Sequence, residues 1–283
     1  MGAERKIASL YENQAAMEGA GVHLKRVFGF REAPRLDPFL LLDDFRSDRP
    51  EHYLKGFPWH PHRGIETITY MLKGEVTHGD SLGNEGSIKA GDVQWMTAGS
   101  GIVHQEMPRG DAHGAMYGFQ LWTNLPAAQK MMPPRYREIT AERIPTVKLD
   151  EGIIIKVIAG TVAGTPGPMD EIVTDPEYLD CMLPPNVTYT HATPADYTAL
   201  VYAFEGHGRT AGEAITNGQL VHYTAGRRLS VTAAEVPFRF LLLTGRPLGE
   251  AVAWRGPIVM NTQAELDTAF REYREGTFIK TTR

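Results

Sequence analysis

The sequence predicts an all-β protein made of two similar barrel or sandwich domains and closed by a single C-terminal helix. Three observations carry this. Twenty-nine glycines and nineteen prolines cut the chain into short segments. Many segments alternate, or are rich in β-branched and aromatic residues, and short strands with turn signals between them read as a sandwich or barrel. Part of the pattern then occurs twice, which is the mark of a duplicated domain.

The clearest strand candidates are 65–72, 91–97, 116–123, 153–158, 197–204 and 238–243. Within them Ile68-Thr-Tyr-Met-Leu-Lys-Gly74 resembles Leu200-Val-Tyr-Ala-Phe-Glu-Gly206. Further on, Ala90-Gly-Asp-Val-Gln-Trp-Met-Thr-Ala-Gly99 resembles Asn217-Gly-Gln-Leu-Val-His-Tyr-Thr-Ala-Gly226. Each half reads as a strand, a glycine turn and a second strand ending in Thr-Ala-Gly. Prolines 133, 134 and 145 bracket the natural linker, because proline removes ladder donors. The expected division is therefore a first domain over 1–133, a linker over 134–145 and a second domain over 146–283. The helix lies near the end. Thr262 can cap it and Glu265 completes a capping box, while Leu266, Ala269, Phe270 and Tyr273 share a face and Gly276 stops it.

Composition bounds the function. A chain of 283 residues is long enough for two domains of ordinary size. With 42% hydrophobic and 22% charged residues it has the make-up of a globular protein, not a disordered or fibrous one. The 29 basic and 34 acidic residues are well mixed, giving a net charge of −5. No basic stripe stands out, which argues against direct nucleic-acid binding. Cys181 is the single cysteine, so no internal disulfide forms, as expected in a reducing compartment; a small buried apolar role suits it better than a reactive thiol. The first residues lack the apolar stretch of a signal peptide. The longest apolar runs are strand-sized, where a membrane span needs about 20 residues. The expectation is a cytoplasmic protein with no membrane contact.

The chemistry concentrates in two short pairs. His60-Pro61-His62 puts two imidazoles two residues apart, and His104-Gln105-Glu106 does the same for an imidazole and a carboxylate. On a strand, residues i and i+2 point to one face. Two neighbouring strands would then converge four donors on a point. Nitrogen donors with a carboxylate suit iron, manganese, nickel, copper or zinc, and four protein ligands leave a position for water, oxygen or substrate. A lone His-x-His is more often structural or surface than metal-binding; the joint pattern in one domain carries the argument. Glu66 follows His62 by four residues and has the same parity, so spacing does not choose between Glu66 and Glu106. Imidazole binds metal only when neutral, so a site of this kind is expected to empty below about pH 6.

Four blocks resemble the signatures of the pirins: Pro38-Phe-Leu-Leu-Leu-Asp-Asp-Phe45, Phe57-Pro-Trp-His-Pro-His-Arg-Gly-Ile-Glu-Thr67, Gln94 to Pro108, and Gly118-Phe-Gln-Leu-Trp-Thr-Asn-Leu-Pro126. The resemblance is dense over residues 34–134 and looser beyond. It implies two tandem cupin (jelly-roll type) β-barrels with metal in the first alone. It implies His60, His62, His104 and Glu106 as ligands, which leaves Glu66 to orient one of them from outside. It also implies iron, as Fe2+, with nickel, manganese, copper or zinc as alternatives. The implied activity is cleavage of a flavonol such as quercetin by O2; Glu106, on loosening from the metal, is the candidate base for the substrate hydroxyl. Other members are described as transcriptional cofactors or regulators, so membership alone does not decide between catalysis and regulation.

Three readings follow. The leading one is an iron-dependent dioxygenase of quercetin or a similar flavonol, with Phe57, Trp59, Met96, Phe119 and Trp122 as candidates for its apolar wall. Ordinary barrel core is the better expectation for Met96 and Phe119. The rival is an iron-containing, redox-sensing regulator that binds a protein partner without turnover. A metal-free scaffold is the third. The second half offers only His191 near the first ligand pair and Arg-Arg-Leu-Ser-Val-Thr where the second pair would stand, so no metal is expected there. His52, His113, His207 and His222 read as solvated or surface side chains.

Overall fold

Strands form where alternation and β-branching placed them: Ile65–Lys73, Val93–Thr97, Tyr117–Asn124, Ile154–Ala159, Thr198–Glu205 and Phe238–Gly245. The computed structural model describes residues 3–169, 172 and 174–280. Among the described residues antiparallel strands group into two units, each with one seven-stranded, one four-stranded and one two-stranded sheet.

In the first barrel the large sheet runs in the order Arg135–Ile139, Val93–Thr97, Ile65–Lys73, Tyr117–Asn124, Phe39–Asp44, Val22–Phe28 and Gln14–Glu18. Its small sheet orders Phe57–His62, Ile102–Arg109, Glu75–Asp80 and Glu85–Lys89. The second barrel repeats the plan. Its large sheet runs Ile7–Glu12, Gln219–Tyr223, Thr198–Glu205, Phe238–Gly245, Glu177–Leu183, Ile154–Ala159 and Thr146–Lys148. Its small sheet orders Thr188–Ala192, Arg228–Ala233, His207–Thr210 and Glu213–Thr216. The repeated motifs fall on matching strands: Ile68–Gly74 and Leu200–Gly206 on one, Ala90–Gly99 and Asn217–Gly226 on its neighbour. The chain is a bicupin with one C-terminal helix.

The units do not follow the contiguous division expected from the prolines. One contains Met1–Asn13, Leu36–Pro38 and Glu142–Pro247; the other contains Gln14–Arg35, Phe39–Ala141 and Leu248–Arg283. The N-terminal strand Ile7–Glu12 belongs with the second barrel, where it pairs with Gln219–Tyr223. The end of the chain returns to the first. Residues 134–145 are not a bare linker either, because Arg135–Ile139 is the edge strand beside Val93–Thr97. The prolines flank this strand and do not interrupt it, and an edge tolerates them there.

The helix α1 spans Gln263–Arg274 with Thr262 as its cap and the full capping box to Glu265. Leu266 and Ala269 are buried, Phe270 packs beside them, and Gly276 takes a positive φ just past the end. Tyr273 lies at the margin, edge-on to Phe278 with centroids 5.5 Å apart. Among the described residues no helix is long and apolar enough to cross a membrane. The interior of the second barrel is filled by Val157, Leu179, Cys181, Val201, Val221 and Phe240 among others. Cys181 is fully buried there, and burial pushes its thiol pKa up, as suits a small core residue.

Candidate metal centre and its cavity

Alternation along Ile102–Arg109 buries Ile102, His104, Glu106 and Pro108 and leaves Val103, Gln105 and Met107 half-exposed. Antiparallel pairing sets His104 directly opposite His60. His62 follows on the face of His60, and the three imidazoles meet. His60 Nε2 stands 3.0 Å from His62 Nε2 and 3.0 Å from His104 Nε2. Among the described residues this trio is the cluster with metal-ligand spacing, its donor atoms all within 4.8 Å of one another.

The opposite ring atoms explain why these nitrogens face one another. His60 Nδ1 lies 2.9 Å from the Pro58 carbonyl and His62 Nδ1 lies 3.2 Å from the Pro257 carbonyl. A carbonyl only accepts, so both rings carry their proton on Nδ1 and present a lone pair at Nε2. The Tyr136 hydroxyl sits 3.3 Å from His104 Nδ1. Two Nε2 lone pairs 3.0 Å apart repel unless a cation lies between them. Ligand bonds of about 2.1 Å at right angles put donor nitrogens about 3.0 Å apart. The trio therefore fits a first-row transition metal in both chemistry and spacing. Burial adds to this: it holds His60 below, and His62 and His104 well below, the usual histidine pKa, so the neutral ligand forms prevail.

Glu106 faces the same space without joining the imidazole cluster. The register slips between His104 and Glu106, so Glu106 pairs with Phe57 and its Oε1 accepts a 3.4 Å bond from Thr69. Burial pushes its carboxyl up to about 7, and the Thr69 bond offsets only part of that. Glu66 does not orient a ligand. The turn at Arg63–Gly64 puts it on the next strand, in the other sheet, so the parity argument does not carry over. There it is buried and accepts a 2.6 Å bond from Thr97. The groups that hold the imidazoles are instead Pro58, Pro257 and Tyr136. Sequence reasoning missed all three. Pro58 stands beside the first pair, but Tyr136 lay in the supposed linker and Pro257 is far along the chain.

The cluster borders a cavity of about 730 Å³ between the two sheets of the first barrel. That is a typical size for a small-molecule site. Phe57 and Trp122 line it, with Trp122 edge-on to His62 at 5.1 Å between centroids. Trp59 does not line it. Its parity on the strand is opposite to His60, and it is 52% exposed. Met96 and Phe119 are fully buried in the core, as expected for them. In the second barrel His191 pairs with Leu229, the position where the first barrel pairs His62 with Ile102, and Tyr189 and Val231 stand where His60 and His104 do. His191 is bonded there to Tyr189 and Glu177, at 2.8 and 2.9 Å.

Two tandem cupin barrels, the first with converging imidazoles at a cavity, place the chain among the bicupins. Residues 21–123 match the pirin family, and residues 178–279 match the pirin C-terminal cupin domain. The chain belongs to the pirin family. It is 44% identical to a pirin-like protein of Caulobacter vibrioides over 97% of this chain and 99% of that one. It is 41% identical to a pirin-like protein of Solanum lycopersicum, covering 93% of this chain and 89% of the relative. A solved structure of quercetin 2,3-dioxygenase from Acinetobacter baumannii superposes with a TM-score of 0.90 at 36% identity, over 98% and 99% of the two chains.

Proposed function

We propose that this pirin is a metal-dependent dioxygenase that opens a flavonol, quercetin or a close analogue, with O2. The observation that carries the reading is the set of facing Nε2 lone pairs at a cavity of ligand size with aromatic walls. The structural likeness to a quercetin 2,3-dioxygenase supports it. His60, His62, His104 and Glu106 would hold the ion, iron as Fe2+ being the leading choice and nickel, manganese, copper and zinc the alternatives. A bound divalent metal supplies a Lewis acid that favours the ionised form of a substrate hydroxyl and a redox centre for chemistry with O2.

The protein's own groups do the rest. When Glu106 loosens from the ion, its carboxylate can take the proton of the flavonol hydroxyl, a role that needs hydrogen-bond reach. Thr69 steers the carboxylate through its 3.4 Å bond to Oε1. Phe57 and Trp122 form walls that seat a planar ring and keep water from it. The test is oxygen uptake on adding quercetin to the iron-loaded protein, beside a His104→Ala control. Uptake that depends on quercetin and vanishes in the control upholds the reading. No uptake by protein shown to hold iron overturns it.

One observation favours the second reading, a redox-sensing regulator that docks a partner. Trp59 sits one residue from His60 and is 52% exposed, so a protein binding there would touch the strand that carries two ligands. That reading expects bound metal, negligible turnover, and loss of partner binding on Trp59→Ala.

A further inference from the structure

The floor of the cavity carries a row of polar side chains in perfect cross-strand register. Thr69 pairs with Gln120, Gln120 with Asp43, and Asp43 with Arg26, across four adjacent strands of the large sheet. All four line the cavity. Residues two places along, on these strands or just past their ends, face it too, and these are apolar: Trp122, Leu41, Phe45 and Leu24. On these four strands the polar row is one residue wide between apolar side chains, and Glu18 of the next strand adds a carboxylate beside Arg26.

The stripe starts at the metal centre and leads away from it. Thr69 stands at one end, its single hydroxyl proton shared between Gln120 Oε1 at 2.5 Å and Glu106 Oε1 at 3.4 Å. Gln120 thereby turns its carbonyl oxygen to Thr69 and keeps its amide N–H groups for whatever fills the cavity. At the far end Arg26 grips Asp43 through two bonds of 2.9 and 2.8 Å and reaches Glu18 at 2.8 Å. Those contacts use three of the five guanidinium N–H groups and one lone pair on each Asp43 oxygen, so both residues retain bonding capacity. Adjacent strands lie about 4.8 Å apart, so the row extends about 14 Å from Thr69 to Arg26. This is the scale of a fused bicyclic ring that bears a third aromatic ring.

A carboxylate buried in an apolar surface is costly even with a half-exposed guanidinium beside it, and a hydrophobic pair would often serve stability as well or better. Asp43 is only 5% exposed, yet it faces the cavity. We propose that Gln120, Asp43 and Arg26 form a recognition strip for hydroxyl groups on the substrate ring remote from the metal. The site then selects polyhydroxylated flavonols over those that carry only the metal-binding hydroxy-ketone. Gln120 donates to a ring oxygen, and Asp43, oriented by Arg26, accepts from a phenolic O–H. A site built to bond a hydroxyl discriminates strongly against the analogue that lacks it, because its own polar groups are left unpaired.

The assignment rests on the flavonol reading, and equilibrium binding separates the two. Iron-loaded protein under nitrogen is titrated with quercetin and with 3-hydroxyflavone, which shares the chelating group and has no remote hydroxyls. Quenching of tryptophan fluorescence gives both dissociation constants. Wild type is expected to bind quercetin at least about tenfold more tightly. In Gln120→Leu and Asp43→Asn, each checked for an unchanged melting transition, that ratio falls toward one because quercetin loses affinity. Equal binding of the two by wild type, or a ratio that survives both substitutions, overturns the strip. Binding of neither compound removes the flavonol reading and the strip with it.

Discussion

The carbonyl of Pro257 lies 3.2 Å from His62 Nδ1 and accepts its proton, so a residue near the end of the chain fixes the tautomer of a histidine near its beginning. The neighbouring Arg63 is tied into the same segment. Its Nε donates to the Ser100 carbonyl at 2.7 Å, Nη2 donates to Phe278 at 2.9 Å, and Nη1 pairs with Glu272 of α1 at 2.8 Å. The returning C-terminal segment thus holds both residues in place. Pro257→Gly keeps the carbonyl but frees the backbone that aims it. Partners of this kind commonly contribute 10- to 100-fold in metal affinity, so a loss of about tenfold is expected, read by competition against a chelator. An unchanged affinity would mean that the strand alone sets the His62 ring.

Tyr136 makes the matching contact on His104, at 3.3 Å from Nδ1, and its ring stacks on His78 with centroids 5.7 Å apart. Tyr136→Phe keeps the stack and removes the hydroxyl. Metal affinity should fall by about tenfold while the melting temperature barely moves. A large drop in melting temperature with unaltered affinity would assign the hydroxyl to folding instead.

The legible parts of this protein are those fixed by local pattern. His60, His62 and His104 could be paired from i, i+2 spacing because a strand converts that spacing into a shared face. The helix could be read because Thr262 and Glu265 cap it locally. Parity fails wherever the chain turns between strands, and this is why Glu66 seemed to face the cavity; Trp59 was placed there against parity, since it alternates with His60 on one strand. Pairing over long sequence distances leaves still less trace. Nothing in Ile7–Glu12 names Gln219–Tyr223 as its partner. The cross-strand row from Thr69 to Arg26 was likewise invisible, since register between strands is set by the whole sheet. Tyr136 was lost because prolines on both sides made its strand look like a linker.

Lys130 is 1% exposed, and its ammonium donates to the Gly64 carbonyl at 2.8 Å, Asn124 Oδ1 at 2.6 Å and the Val259 carbonyl at 3.0 Å. Three N–H groups meet three acceptors. This cation ties the turn after His62 to the returning C-terminal segment. Lys130→Met fits the space but leaves three buried oxygens without a donor. At about 1 kcal/mol or more for each, the variant should lose about 3 kcal/mol. For a unit of this size that lowers the melting temperature by roughly 6–12 °C. A shift under about 2 °C would show that water replaces the ammonium without penalty.

Burial of the three imidazoles changes the pH behaviour expected from their spacing alone. Each folded-state pKa lies below the ordinary histidine value, by desolvation first and, for His62 and His104, by the neighbouring rings as well. The metal-free unfolded chain takes up these protons near pH 6.5, whereas the metal-free folded chain does so only at lower pH. Between those points the unfolded state binds more protons, so stability is full above about 6.5 and is lost as pH falls through that window. Each group contributes about 1.4 kcal/mol for every unit by which its pKa is depressed. For the metal-bound protein the same depression delays competition by protons. Ion release should therefore have its midpoint clearly below pH 6, not at about 6 as free histidines would give. Metal content measured after dialysis across pH 4–8 checks this, with the melting temperature of the metal-free protein followed over the same range. Release centred at about pH 6.5 with a flat melting profile would show that water reaches the three rings freely.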